Sequence, residues 1–318
     1  MRIAFFGLPL AALLLHQDGH TIVHAAVCRK GALGLRRLRR VLGKARVSVT
    51  PRVDAAFLER FAAEPPDLVV SWFWTKRLPK EALRLAPRGA LGVHPSLLPR
   101  HRGPDPYFWA IDAGDPVTGV TAHVLEEAYD TGAILAQETI FVHPTWNAWT
   151  LAKKLDRPSL RVLRRVVAAE AKGEPYPRVP QDEGLATEAP QPDDDLLELD
   201  WHASTAAIVR RVRAAGPWPG AFTRIGHGDD APTVALLEVE ALESYPRALE
   251  PGECAVVGEN QVIIRTGDGA VAVRAARPEP DDDDGDGTDA PEVWNAARIA
   301  EEVRRGGGKK VSEADGAP

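Results

Sequence analysis

The chain has 318 residues, 44% of them hydrophobic, and a formal net charge of −6. That length exceeds what one core commonly fills, since single cores stop growing near about 250 residues, so two domains are expected. No run approaches the roughly 20 apolar residues of a membrane span. Two distant cysteines, Cys28 and Cys254, exclude both a disulfide framework and a cysteine-based zinc site.

The opening stretch MRIAFFGLPLAALLLHQ reads as a buried strand entering a helix. It has one early Arg, a break at Gly7 to Pro9 and no small-residue cleavage site, so it lacks a secretory layout, and a cytoplasmic location is expected. From Arg29 to Arg46 the chain carries basic residues and no acidic one. Within it Leu35, Leu38, Val41 and Leu42 recur at helical spacing, which predicts an amphipathic helix with Arg36, Arg37, Arg39, Arg40 and Lys44 on or beside its outer face.

Short apolar runs then alternate with helical patterns: RIAFFG, TIVHAAV, DLVVSWF, GALGVHP, GVTAHVL and AILAQETIF. This order predicts an α/β domain over residues 1–180 with a mostly parallel sheet buried on both faces. Ligands of such sheets gather at the carboxyl ends of the strands. The stretch from Asn147 to Lys172 reads as helix interrupted at Pro158. Residues 181–197, rich in Asp and Glu, read as an acidic linker.

A second domain is expected over 198–305. It begins with a short helix after Ser204, a capping residue, and continues with five short strands that suggest a small barrel or sandwich. The run DDDDGDGTD (281–289) reads as a solvated acidic loop, because the Gly and Glu expected of a calcium loop fall out of register. A last helix covers APEVWNAARIAEEVRR, and residues 306–318 read as a disordered tail.

His94 stands out at the end of the run GALGVH. Pro95, Ser96 and Pro99 follow it and restrict the backbone, so the imidazole is held in place. Downstream, EEAYDTG offers Asp130 after another buried strand. A carboxylate beside a His raises its pKa and fixes its tautomer, which suits proton removal from an attacking amine. Taken singly, His94 also reads as a satisfied core histidine and Asp130 as a turn residue. Ser96 is not in a nucleophile elbow, no glycine-rich phosphate loop occurs, and no metal site is expected, since nothing in the spacing of His94, His101 and Asp130 favours one.

The stretch from Gly89 to Gln137 resembles the core of the formyltransferases that use formyl-tetrahydrofolate: N-x-H-x-S-L-L-P, then R-G, T-G-V-T and D-x-G. FFGLP resembles the opening strand and turn of that family, and RAAGPWPGAFT resembles the start of the second domain in its tRNA-acting branch. The resemblance implies a Rossmann-like first domain and an OB-like β-barrel second domain. It implies His94 and Asp130 as catalytic residues and Trp74, Thr75, Lys76 and Leu78 as lining of the pterin pocket. Ser96, Leu97, Leu98 and Pro99 match the turn beside it, and Tyr129 joins the residues expected at the co-substrate.

Formyl-tetrahydrofolate is the implied donor and initiator methionyl-tRNA the implied acceptor, with the basic stretch around Arg36 to Lys44 as the candidate RNA contact and no DNA partner. Two positions depart from the pattern. Gly92 stands where the family has an Asn that donates to the formyl oxygen, and Leu8 stands where it has a Thr. Losing one such donor typically costs about 2.7 to 4 kcal/mol. The glycine is accounted for if another side chain or water donates, if it makes room for another acyl donor or a bulkier acceptor, or if turnover is weak. An amino-sugar N-formyltransferase and a weakly catalytic folate- or RNA-binding relative are the alternatives.

Overall fold

The computed structural model describes residues 1–226, 231–246, 248–279, 292–306 and 309–311. They divide into two compact units, the first made of 1–106, 116–141 and 152–191, the second of 107–115, 142–151 and the chain from Pro192 on. The stretch expected as a linker is thereby split, 181–191 packing with the first unit. The reason is visible in its partners: Gln181, Glu183 and Thr187 all hydrogen bond to residues of that unit.

The first unit is a seven-stranded sheet. Its strands are β1 (Arg2–Gly7), β2 (Thr21–Val27), β3 (Val47–Val49), β4 (Leu68–Trp72), β5 (Ala90–His94), β6 (Val117–Val124) and β7 (Ile134–Phe141). The spatial order is β3-β2-β1-β4-β5-β6-β7. The first five are parallel, whereas β5–β6 and β6–β7 are antiparallel. β1, β2 and β5 are buried almost end to end, as near-continuous apolar strands covered on both faces should be. Where β1 ends against β4, a Cβ on Gly7 would lie 1.8 Å from the carbonyl oxygen of Trp72, and φ is +144°. Only glycine permits that approach.

The helix over Ala148–Lys172 runs unbroken through Pro158, against the expected interruption. Proline removes one backbone donor, but the turn is held by other means. Ser159, 1% exposed, accepts from Trp72 Nε1 at 3.0 Å and donates to the carbonyl of Asp156 at 2.7 Å, while Leu155, Val162 and Leu163 are fully buried. Packing overrides local propensity here.

The second unit carries the predicted helix Thr205–Ala215, with Ser204 Oγ accepting from the Ala207 N–H at 3.3 Å. Its strands are β8 (Ala221–Arg224), β9 (Thr233–Ala241), β10 (Cys254–Val257), β11 (Gln261–Arg265), β12 (Ala270–Pro278), β13 (Trp294–Asn295) and β14 (Lys309–Val311). They pair in the order β14-β10-β11-β12-β9-β8, with β13 on β12. Every pair is antiparallel except β10–β14. The last helix is shorter than expected, Ala296–Arg305, and begins where the Asn295 side chain accepts from the Arg298 N–H. Lys309–Val311, expected as part of a disordered tail, is a strand on β10. The acidic loop 281–289 lies outside the described residues.

Candidate active site

His94 closes β5 and is buried, its side chain 7% exposed. Nε2 lies 2.8 Å from the carbonyl oxygen of His101. A carbonyl only accepts, so Nε2 carries the hydrogen. Nδ1 lies 3.4 Å from Asp130 Oδ2. The carboxylate arrives from the loop after β6, where Asp130 holds a left-handed φ of +55°. That conformation is unusual for a non-glycine residue, and the surroundings hold it in place. The backbone N–H of Gly103 donates to Oδ2 at 3.0 Å. Gln181 Nε2 donates to the carbonyls of Asp130 and Gly132 at 2.7 and 2.8 Å. Gln181 Oε1 in turn accepts from Arg102, a buried guanidinium that also forms a paired contact with Glu183.

A second imidazole meets the same carboxylate. His123 Nε2 is 3.6 Å from Asp130 Oδ1, and its Nδ1 is 2.9 Å from the carbonyl of Val124. Burial pushes the His123 pKa down to about 4, against the pull of Asp130. Among the described residues, no group of three or more His, Cys, Asp or Glu is arranged to hold a metal ion.

The turn after His94 is stitched from below. Ser96 Oγ donates to the Arg100 carbonyl at 2.6 Å, and Thr121 Oγ1 donates to the Ser96 carbonyl at 2.7 Å and accepts from the Leu98 N–H at 3.0 Å. Gln137 on β7 adds a bond to the carbonyl of Leu98. Ser96 and Leu98 are buried, Leu97 and Pro99 half-buried. Gly92 sits in β5 with Leu125 above it, and an added Cβ would lie 2.9 Å from Leu125 Cδ2 and 3.5 Å from the carbonyl oxygen of Ser71.

The other expected site residues are dispersed. Leu78 is buried in the apolar cluster around Phe6, Phe57 and Val69, and Trp74 and Leu125 pack against that cluster. Trp74 meets the Phe6 ring edge-on at 5.6 Å, and its Nε1 is buried without a hydrogen-bond partner among the described residues. Thr75 and Lys76 are exposed, as is Tyr129, whose ring has the Arg77 guanidinium 5.8 Å from its centre. The helix Leu35–Leu42 forms as the spacing predicts, with Leu38 fully buried, Arg36, Arg37 and Arg40 exposed, and Lys44 exposed just beyond it. Arg39 is half-buried, and Val41, expected on the apolar side, is 43% exposed.

Arg102, His123 and Gln181 escaped the sequence reading as site residues, and His101 entered it only in a disfavoured metal set. For His123 a signal existed, a histidine inside the apolar strand GVTAHVL. For Gln181 none did, because its role depends on a chain return about 50 residues later.

A carboxylate and two imidazoles thus converge at the end of a parallel strand in an α/β domain. The comparisons make the class specific. The family described as Formyl transferase matches residues 22–167, and Formyl transferase, C-terminal domain, matches 193–283. The methionyl-tRNA formyltransferase of Acidiphilium cryptum is 35% identical over 286 residues, covering 85% of this chain and 90% of that protein. That of Myxococcus xanthus is 34% identical over 223 residues, covering 70% and 69%. Among solved structures, HypX from Aquifex aeolicus in complex with tetrahydrofolic acid matches with a TM-score of 0.64 and 23% identity. The match covers 98% of this chain, which spans about half of HypX, 49%. WlaRD, a sugar 3N-formyl transferase, matches with a TM-score of 0.63 and 12% identity over 88% of this chain and 98% of its own. The chain belongs to the formyltransferase family and is an enzyme of that family. Within it, the chain is similar to the methionyl-tRNA formyltransferases.

Proposed function

We propose that the protein transfers a formyl group from formyl-tetrahydrofolate to the amino group of methionyl-tRNA, with the first unit carrying the chemistry and the cytoplasm as its location. The observation that carries this reading is the buried contact of His94 with Asp130, held by Gly103 and Gln181. The similarity to methionyl-tRNA formyltransferases supports the acceptor.

The residues near β4 fit the donor in one respect. Trp74 Nε1 is a buried donor left without a partner, and a buried N–H without an acceptor is unfavourable. A pterin has ring nitrogens and a carbonyl able to accept from it. Trp74, Thr75 and Lys76 would hold the co-substrate there, with Leu78 behind them in the core. When bound, formyl-tetrahydrofolate supplies the formyl carbon and a nitrogen that leaves.

Both nitrogens of His94 are engaged, one by a carbonyl and one by Asp130. The proton of the attacking amine is therefore taken by the Asp130 carboxylate, the more exposed member of the pair at 15% against 7%. His94 stabilises the carboxylate and keeps it oriented. Gly92 adds no amide to this arrangement, so the formyl oxygen must be met by other donors.

Arg36, Arg37, Arg40 and Lys44 are exposed and form no ion pair among the described residues, which leaves them available for phosphates. Such contacts weaken with salt. The test is an assay of the purified chain with formyl-tetrahydrofolate and, separately, initiator methionyl-tRNA and nucleotide-linked amino sugars. Formylated methionyl-tRNA, with an affinity that falls as salt rises, is the expected result. Transfer to amino sugars alone overturns the acceptor, and folate binding without any transfer overturns the reaction.

A further inference from the structure

β5 and β6 run antiparallel, and their register sets His123 directly across from Gly92. Opposed residues of an antiparallel pair share a face, so this imidazole stands beside the position in β5 that carries no side chain. Its side chain is 3% exposed. Nδ1 faces the Val124 carbonyl, which only accepts, so Nδ1 carries the hydrogen and Nε2 has a lone pair when the ring is neutral. That lone pair faces Asp130 Oδ1. His94 repeats the pattern with its nitrogens exchanged, Nε2 committed to the His101 carbonyl and Nδ1 facing Oδ2.

Each oxygen of one carboxylate thus faces a ring nitrogen whose sister nitrogen is already committed. Without a further proton, two pairs of acceptor atoms confront each other. One proton converts one contact into an N–H···O bond, and two convert both. The charged or titratable groups facing His123 are Asp130, His94 and Arg102. Its burial disfavours the charged ring, so His123 rests neutral and holds a second proton only weakly.

We propose that His123 is the transient store for the proton removed from the attacking amine, reached through Asp130. The proposal rests on the formyl-transfer reading above. As the amine nitrogen bonds to the formyl carbon, its proton passes to Asp130 and on to Nε2 of His123. As the bond between the formyl carbon and the donor nitrogen breaks, the proton returns through Asp130 to that nitrogen. The amine loses one hydrogen, the leaving nitrogen gains one, and no oxidant or reductant is required. His123 acts through Asp130 and is a positioning and proton-holding residue.

Two measurements on the full chain test this. The first follows the histidine ring nitrogens of the ¹⁵N-labelled wild-type protein through a pH titration. The expected result is a neutral His123 at neutral pH with its hydrogen on Nδ1, gaining the second proton only under acid conditions, at a pH of about 4. An imidazolium at neutral pH, or a hydrogen on Nε2 of the neutral ring, overturns the proposal without any variant. The second compares His123→Gln with wild type in formyl transfer. Gln places a polar amide at the same position but cannot store a proton, so kcat falls about tenfold or more, KM holds, and the acidic limb of the pH profile moves. A Gln variant with wild-type kcat and pH profile overturns the proposal. A wild-type protein that transfers no formyl group removes the underlying reading and the proposal with it, whereas the other contrary results remove the proposal alone.

Discussion

β4 and β5 are neighbours, and their carboxyl ends lie side by side with Trp72 opposite Val93, yet the two ends are built by different physics. At the β4 end, Trp74 and Leu78 are absorbed by an apolar cluster with Phe6 and Phe57. At the β5 end, the buried His94 and His123 and the half-buried Asp130 are polar groups, each tied to a partner. Apolar groups can be buried against whatever apolar surface is nearby. Buried polar groups need specific partners with defined geometry, and here those partners come from loops far along the chain. The first kind of end tolerates substitution of similar volume; the second fails when one remote partner is lost.

Asp130→Asn is the most severe way to break the polar end. It removes the charge that both imidazoles face, and kcat for formyl transfer should fall at least a hundredfold while the protein stays folded. Retained activity would locate the chemistry elsewhere. Gln181→Ala tests whether remote partners matter. It deletes the donor to the carbonyls of Asp130 and Gly132, and a carboxylate displaced by even a fraction of an ångström should lower kcat about tenfold with little change in KM. An unchanged kcat would show that Gly103 alone holds Asp130.

Gly92→Asn sharpens the comparison in the other direction by adding a donor beside the site. The new Cβ meets the far end of the flexible Leu125 side chain at 2.9 Å, so Leu125 must turn aside. A rise in kcat of about tenfold is expected, larger when combined with Leu125→Ala. A fall in both variants would mean that the site is organised around the empty position. The smallest effect belongs to the apolar end. Trp74→Phe deletes the partnerless Nε1 donor and should raise unfolding stability by about 1 kcal/mol, as when an unsatisfied buried donor is removed. Equilibrium unfolding in urea measures it, and folate binding should weaken in the same variant.

Much of the site was legible because it is local. His94 and its proline-bounded turn lie within one short stretch, and six of the seven strands of the first sheet follow from their apolar runs. β3 escaped because three residues give no periodicity. Pro158 misled because a local rule was read without the buried packing around Ser159. The reach of 181–191 was hidden because its acidic residues look solvated, whereas Glu183 and Gln181 are the partners of a buried arginine.

By itself the sequence determined most of the order of strands and helices, the candidate pair His94 and Asp130, and the glycine where the resembled motif has an Asn. Those properties depend on residue type and short-range spacing, which the chain carries along its length. Only the tertiary structure decided that β6 runs antiparallel to β5, that this sets a second histidine opposite Gly92, and that one carboxylate lies between two imidazoles. Strand direction and loop return are settled by packing and by the demand of buried polar groups for partners, and neither is written in any single segment.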